Sequence, residues 1–292
     1  MKNSNSVINI KTANSAMLVL LLLGFLSALF WLLPNSYGIS AYIFCIPLLI
    51  ALLFRKNSQE YIRDSRFKTY PGWLNTIILT GLYLAITYGA IISLNALISL
   101  ILPAAEEMQT IPFKESFGIV DGFLYAFAVT IITPLYEEFV FRGLALRAYE
   151  KRFSPSFASI FISILFALFH GNLVKLIYMI PGFFILARAV QVFDSWWLAV
   201  IVHIVNNSIA LAINWLEVAN EIGVEKSILS ISPVLAPFIS LLISLISFLI
   251  AIRWLEHNRS RVLIFKKSKE KVWTYDLIIF IIICLMLAFG LI

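Results

Sequence analysis

Cysteine is scarce in this sequence, and so are the short signatures of the common hydrolases. The chain has only two cysteines, Cys45 and Cys284, and each lies inside an apolar run. This usage excludes a disulfide framework and a cysteine-based metal site. The sequence contains no H-E-x-x-H segment, the helix signature of the common zinc proteases. It also contains no G-x-S-x-G segment, so a serine nucleophile on the usual strand-to-helix turn is not expected.

Charged residues are equally few. They make up 13% of the chain, whereas 61% of the residues are hydrophobic and the mean hydropathy is +0.94. This apolar share is far above that of a soluble domain. The predicted fold is therefore all-α, a polytopic bundle of transmembrane helices in contact with membrane lipid. The net charge of +6 does not indicate a nucleic-acid partner, because the excess Lys and Arg lie between the apolar runs.

Apolar runs long enough to cross a bilayer recur along the chain. A span needs about 20 mostly apolar residues, which predicts eight or nine spans here. The candidates are 15–33, 39–54, 73–102, 118–142, 155–170, 174–193, 195–216, 227–252 and 275–292. They divide the chain into N-terminal spans at 1–117, a central core at 118–216, and C-terminal spans with a basic loop at 217–292.

Basic residues are concentrated in alternate loops, after the second, fourth and eighth candidate spans. By the positive-inside rule, these loops and the N-terminus are cytoplasmic. The loops on the opposite side carry single lysines or no basic residue. The pattern is typical of a multi-pass plasma-membrane protein, and the short loops favour a bacterial one.

Three charged side chains interrupt the fourth span, within Glu137-Glu138-Phe139-Val140-Phe141-Arg142. Each charge placed in hydrocarbon costs at least about 2.5 kcal/mol, so such groups indicate a functional site. Glu138 and Arg142 are four residues apart and share a helical face, so we expect them to pair. Glu137 points about 100° away and is left for chemistry. Pro134 lacks an N–H and leaves the carbonyl of Thr130 without its helical donor.

Two histidines lie in the spans that follow. His170 ends the fifth span, and His203 shares a helical face with Asn207 in the seventh. At 1.5 Å per residue, Glu137 and His170 both lie about 20–24 Å from the turn between their helices. His203 lies only about 12 Å past Ser195, which requires the Asp194-Ser195 turn to lie within the membrane. A break at Pro181-Gly182 that shortens the sixth span would allow this.

These side chains suit hydrolysis of a peptide bond. A glutamate and a histidine can hold and deprotonate water, and a histidine–asparagine pair can stabilise an oxyanion. If a metal is bound, Glu137, His170 and His203 would be its ligands. The sequence leaves the cofactor open between one divalent metal such as zinc and none.

The motifs, in order, are Glu137-Glu138…Arg142, Phe166…His170 and His203…Asn207. Together they resemble the CAAX-prenyl-protease and bacteriocin-processing (Abi) family of intramembrane proteases. The resemblance covers about 118–215 and implies a membrane endopeptidase, often named a metalloprotease. It implies that Glu137 is the general base, with His170 as its partner on the water. His203 and Asn207 would stabilise the oxyanion, and Glu138 and Arg142 would support the site.

The substrate implied is a membrane-associated peptide or protein. A different class of function stays open from the sequence, namely a non-catalytic bacteriocin-immunity or regulatory protein that binds a partner in the membrane. A transporter with a proton relay through Glu137 and His170 is less favoured, because the sequence has no duplicated halves.

Overall fold

The computed structural model describes residues 8–30, 66, 70–101, 119–220, 232, 235–259 and 269–291. The candidate second span at 39–54 lies outside this part of the chain. All regular structure within it is helical, which confirms the predicted fold class. The helices are α1 (Ile10–Phe30), α2 (Trp73–Ile101), α3 (119–150), α4 (Pro155–Phe169), α5 (Leu173–Phe193), α6 (Trp197–Asn220), α7 (Leu235–His257) and α8 (Tyr275–Ala288).

Five helices of the described chain are long and apolar enough to cross a membrane. They are α2, α3, α5, α6 and α7. Helix α4 has only 15 residues and α8 only 14. At 1.5 Å per residue, neither reaches across a hydrocarbon core about 30 Å thick. The predicted count of eight or nine spans is therefore not confirmed, although the apolar runs form helices near the expected positions.

The sixth candidate span is one continuous helix, so the break that Pro181-Gly182 would allow does not occur. Helix α5 runs through Pro181 from Leu173 to Phe193. Gly182 serves close packing instead, since a Cβ there would lie 2.8 Å from Thr87 Oγ1 and 2.9 Å from Tyr83 Cε2 on α2. The glycine lets the two helices approach, as small residues do between membrane helices.

Helices α2 and α7 pack through small residues and hydroxyl groups. Ser244 Oγ donates to the carbonyl of Ile86 at 2.8 Å, and Ser93 Oγ donates to the carbonyl of Pro237 at 2.9 Å. A Cβ on Gly89 would lie 2.5 Å from the backbone oxygen of Ser240. Helices in lipid depend on such close contact, because burial of apolar surface contributes little between them.

A buried asparagine joins α1 to both α3 and α8. Asn14 accepts a hydrogen bond from Tyr149 Oη at 2.8 Å and donates to Thr274 Oγ1 at 2.9 Å and to the carbonyl of Val272 at 3.2 Å. The first helix of the chain is thus held between the central helix α3 and the last helix.

Arg66, predicted to be a cytoplasmic loop residue, is buried against the ends of two helices. Its guanidinium donates to Glu150 at 2.8 and 3.2 Å and to Asp194 Oδ1 at 2.8 Å. Burial acts to lower the pKa of Arg66, but the two carboxylates outweigh it and the pKa is raised above its usual value. Arg66 therefore holds the ends of α3 and α5 together as a cation.

We expect Gly89→Ala to destabilise the protein by about 1–3 kcal/mol, because the new methyl group meets backbone that cannot move aside. Gly81→Ala on the same helix is the control, since a Cβ there has no neighbour within 4 Å among the residues that the structure describes. Thermal unfolding of the two purified variants in detergent measures the difference. Equal stability of both variants would contradict the close α2–α7 contact.

Candidate active site

The helix that carries the paired glutamates is irregular on both sides of them. Within α3, the six-residue α-helical segment Thr133–Glu138 lies between two π-helical segments, Ala128–Ile132 and Phe139–Ala145. The joining residues Thr133 and Phe139 keep right-handed helical dihedral angles, so the helix is continuous. Such π turns change which side chains share a face and are frequent at functional sites.

Glu138 and Arg142 form the predicted ion pair, and both side chains are fully buried. Arg142 Nη1 lies 3.1 Å from Glu138 Oε1. The contact is close, but it is poorly directed for a hydrogen bond, and the guanidinium nitrogens have no hydrogen-bond partner within the described residues. Two aromatic rings cover the guanidinium, with Arg142 Cζ 4.2 Å from the Phe166 ring centroid and 5.1 Å from that of Phe183. Cation–π attraction therefore adds to the pairing.

His203 reaches both adjacent glutamates. Its Nδ1 lies 2.9 Å from Glu138 Oε1, and its Nε2 lies 3.8 Å from Glu137 Oε2. Neighbouring helical side chains diverge, but the two imidazole nitrogens lie on opposite sides of the ring, so one histidine can lie between them. We assign the Nδ1 hydrogen to the bond with Glu138, since the carboxylate accepts there. Nε2 is then the nitrogen that faces Glu137.

Glu137 lies at the edge of this charged cluster, with 6% of its surface exposed, and Glu138 lies fully inside it. Glu138 shares one oxygen, Oε1, between Arg142 and His203. The structure thus shows the pair of Glu138 and Arg142 that the spacing predicts, and it leaves Glu137 outside that pair, 3.8 Å from His203 Nε2.

His170 follows the last residue of α4, at the turn into α5. Its Nδ1 lies 2.8 Å from the carbonyl of Phe166, which can only accept, so Nδ1 carries the hydrogen and Nε2 is free to accept. Gly171, with φ +60°, makes the turn that follows. The left-handed conformation suits glycine, and Asn172 then caps α5 by accepting from the Lys175 N–H.

Phe166 joins these elements through its ring. The ring centroid lies 5.0 Å from that of His170, 6.0 Å from that of His203 and 4.3 Å from that of Phe183. The same ring covers Arg142. The structure therefore brings both histidines and the ion pair around one buried phenylalanine.

Asn207 lies one helical turn beyond His203 but contacts the backbone of α3. Its Nδ2 donates to the carbonyl of Val129 at 3.0 Å. Its Oδ1 accepts from Asn206 Nδ2 at 3.3 Å. Asn207 thus belongs to the contact between α3 and α6 that also brings His203 to the glutamates.

The side chains as placed do not fit a metal ion. No three His, Cys, Asp or Glu side chains in the described ranges converge as a ligand group. Both histidines use Nδ1 in hydrogen bonds to protein atoms, and His203 directs Nε2 at Glu137. The predicted ligand set Glu137, His170 and His203 is therefore not assembled as a metal site here.

Sequence reasoning missed Tyr83, a site neighbour on α2. Its side chain is 2% exposed and interacts electrostatically with both Arg142 and Glu138. No local pattern singles out a tyrosine in an apolar run. Tyr83 lies beside the site because α2 packs closely against Gly182 of α5, which is a tertiary contact.

The segment that holds this cluster matches a known family. Residues 119–209 match the family described as type II CAAX prenyl endopeptidase, Rce1-like. We refer to this matched segment as the Rce1-like domain. The family resemblance predicted from the three motifs is thereby confirmed. No curated protein and no solved structure matches the chain.

The Rce1-like domain contains every predicted site residue, from Glu137 to Asn207. It corresponds to helices α3 to α5 and the first part of α6. The match supports an intramembrane endopeptidase in general, and the apolar helices support a membrane-integral protein. Helices α1, α2, α7 and α8 lie outside the match and pack around it.

The buried ion pair makes a testable prediction about stability. Glu138→Gln leaves the Arg142 charge without its partner and should cost about 3–5 kcal/mol. The double variant Glu138→Gln/Arg142→Met removes both charges, so it should lose much less than the two single variants together. Arg147→Met on the same helix is the control, because its contact with Glu150 is 3.5 Å long and its side chain is 37% exposed. Additive losses in denaturant unfolding of the purified proteins would show that the pair is not coupled.

Phe166 gives a second prediction. Phe166→Leu keeps an apolar side chain but removes the ring under Arg142, and it should destabilise the protein by about 1–2 kcal/mol. Phe157→Leu on the same helix is the matched control, since Phe157 is 48% exposed. Denaturant unfolding compares the two, and a loss for Phe157→Leu as large as that for Phe166→Leu would argue against a special role for the Phe166 ring.

Proposed function

We propose that this protein is an intramembrane endopeptidase in which Glu137 activates water for hydrolysis of a peptide bond. The observation that carries the proposal is the contact series from Arg142 through Glu138 and His203 to Glu137. Only the last carboxylate in the series lies outside the ion pair, and 6% of the surface of Glu137 is exposed whereas Glu138 is fully buried. The Rce1-like domain supports the same class of reaction.

Glu137 takes the proton as the water oxygen attacks the peptide carbonyl. The carbonyl becomes a tetrahedral oxyanion, the C–N bond then breaks, and Glu137 returns the proton to the leaving amine. The products are a carboxylate and an amine, and no redox partner is needed. General-base catalysis of this kind contributes about 10²–10⁴-fold to a rate.

His203 is proposed to stabilise the oxyanion through Nε2–H in its protonated form. The attacking oxygen and the oxyanion are bonded to the same carbon, so the base and the donor must lie side by side. The 3.8 Å between Glu137 Oε2 and His203 Nε2 supports this arrangement. Glu138 accepts from Nδ1 and holds the imidazole so that Nε2 faces the site.

His170 is proposed to hold the water against Glu137. Its Nε2 can accept a hydrogen bond, because Nδ1 is fixed on the Phe166 carbonyl. The ring is also held between phenylalanines, with centroid distances of 5.0 Å to Phe166 and 5.7 Å to Phe183. A water bound to His170 Nε2 and to Glu137 would have both an orienting acceptor and a base.

The proposed substrate is a membrane-associated peptide or protein. The matched family is described as type II CAAX prenyl endopeptidase, Rce1-like, and a lipid-anchored or apolar segment could approach this site through the membrane. We place the protein in a plasma membrane, with its N-terminus in the cytoplasm, from the distribution of basic loops.

Glu137→Gln tests the proposal directly. It keeps the shape of the side chain but removes the base, so cleavage should fall by about 10²-fold or more. The measurement is a comparison of peptide termini in cells that express wild type or variant at equal membrane levels. Termini seen only with wild type would identify the substrate.

Glu256→Gln on α7 is the control and should keep wild-type cleavage, because Glu256 is exposed and far along the chain from the motifs. Identical termini in wild type and Glu137→Gln cells would overturn the proposal. A non-catalytic role in immunity or regulation would then account better for the domain.

A further inference from the structure

One side-chain hydrogen bond joins α6 to the irregular part of α3. Asn207 Nδ2 donates to the backbone oxygen of Val129 at 3.0 Å. Val129 lies inside the first π-helical segment, Ala128–Ile132. A backbone carbonyl inside a regular helix takes its hydrogen bond from its own helix, so this contact needs a local reason.

The reason is the hydrogen-bond register around Pro134. The N–H of Thr133 donates to the carbonyl of Ala128, five residues back, as in a π-helix. The next donor in that register would be residue 134, and its acceptor would be the carbonyl of Val129. Proline has no N–H, so the chain cannot supply this bond and the side chain of Asn207 makes it instead.

An unpaired carbonyl at membrane depth costs several kcal/mol, because no water is present in hydrocarbon to replace the donor. Asn206 helps to aim the amide, since its Nδ2 donates to Asn207 Oδ1 at 3.3 Å. With Oδ1 accepting from Asn206, the donor end of the Asn207 amide faces Val129. The orientation of the amide follows from this pair of hydrogen bonds.

The position of the bond connects it to the site. Pro134 lies three residues before Glu137, and Asn207 lies four residues, about one helical turn, after His203. The bond therefore fixes α3 against α6 about one turn away from the contact between Glu137 and His203.

We propose that Pro134 and Asn207 form one unit, in which Asn207 is a positioning residue that replaces the backbone donor Pro134 lacks and so sets the placement of Glu137 against His203. This inference rests on the proposed endopeptidase function for its catalytic consequence. It differs from the oxyanion role that the family resemblance implies for Asn207. If Asn207 acted on the oxyanion, an N–H restored at position 134 would not compensate for its loss. If Asn207 is a positioning residue, the restored N–H makes it largely dispensable.

The test is a double-mutant cycle of Asn207→Ala, Pro134→Ala and the two combined. Asn207→Ala alone should lower cleavage roughly tenfold, as expected when a buried acceptor loses its donor, and it should lower the unfolding temperature. Pro134→Ala restores an N–H that can donate to Val129. The double variant should therefore recover most of the lost stability and most of the lost cleavage.

Two readouts keep the outcomes distinct. One is thermal unfolding of the purified full chain in detergent, and the other is the yield of the Glu137-dependent peptide termini in cells. The control cycle combines Pro134→Ala with Ser208→Ala, because Ser208 is exposed and, within the described ranges, its hydroxyl donates along its own helix to the carbonyl of Ile204. Both effects should add in that cycle.

Additive losses in the Asn207 cycle would overturn the proposal. Recovery of stability without recovery of cleavage would also overturn it, because Asn207 would then have a separate task in the reaction. If wild type yields no Glu137-dependent termini, the endopeptidase function fails, while the unfolding cycle still tests the Pro134–Asn207 unit. Asn207→Leu, which keeps the volume, replaces the alanine variant if that variant does not accumulate in the membrane.

Discussion

The fully buried contact between Arg142 and Glu138 is the interaction on which the site depends. A guanidinium at this depth needs both a countercharge and a polarisable surface, and it has Glu138 on one side and the rings of Phe166 and Phe183 on the others. The same carboxylate oxygen holds His203 through Nδ1. Charge compensation therefore does more than permit burial, because it fixes the imidazole so that its second nitrogen faces Glu137.

The scaffold supports this cluster with a helix that departs twice from α geometry. The two π segments of α3 bracket the glutamates, and the missing N–H of Pro134 leaves a backbone carbonyl that α6 satisfies. The first π segment and the hydrogen bond from Asn207 both lie where α3 packs against α6, and this contact brings His203 to the glutamates. The outer helices contribute by close packing at small residues such as Gly89 and Gly182 and through Asn14, which ties the first helix to α3 and α8.

The motifs have separate physical tasks. In Phe166…His170, the phenylalanine supplies a ring for Arg142 and a carbonyl for the His170 Nδ1. In His203…Asn207, the histidine bridges two carboxylates and the asparagine reaches a backbone oxygen on another helix. The polar groups of the three motifs thus form one packed unit, and all of them lie within the matched residues 119–209.

The sequence by itself determined the helical membrane class, the Glu138–Arg142 pairing and the residues of the three motifs, because hydropathy and spacing of four are local properties. It could not determine that Pro181 lies within a continuous helix, that His203 contacts both glutamates, or that Tyr83 lies beside the ion pair. Those depend on where separate helices pack. In an α-helical register Pro134 would leave the carbonyl of Thr130 without a donor. In the π register of α3 the carbonyl without a backbone donor is that of Val129. Spacing fixes which side chains share one helix face, but only tertiary packing decides which face of another helix they meet.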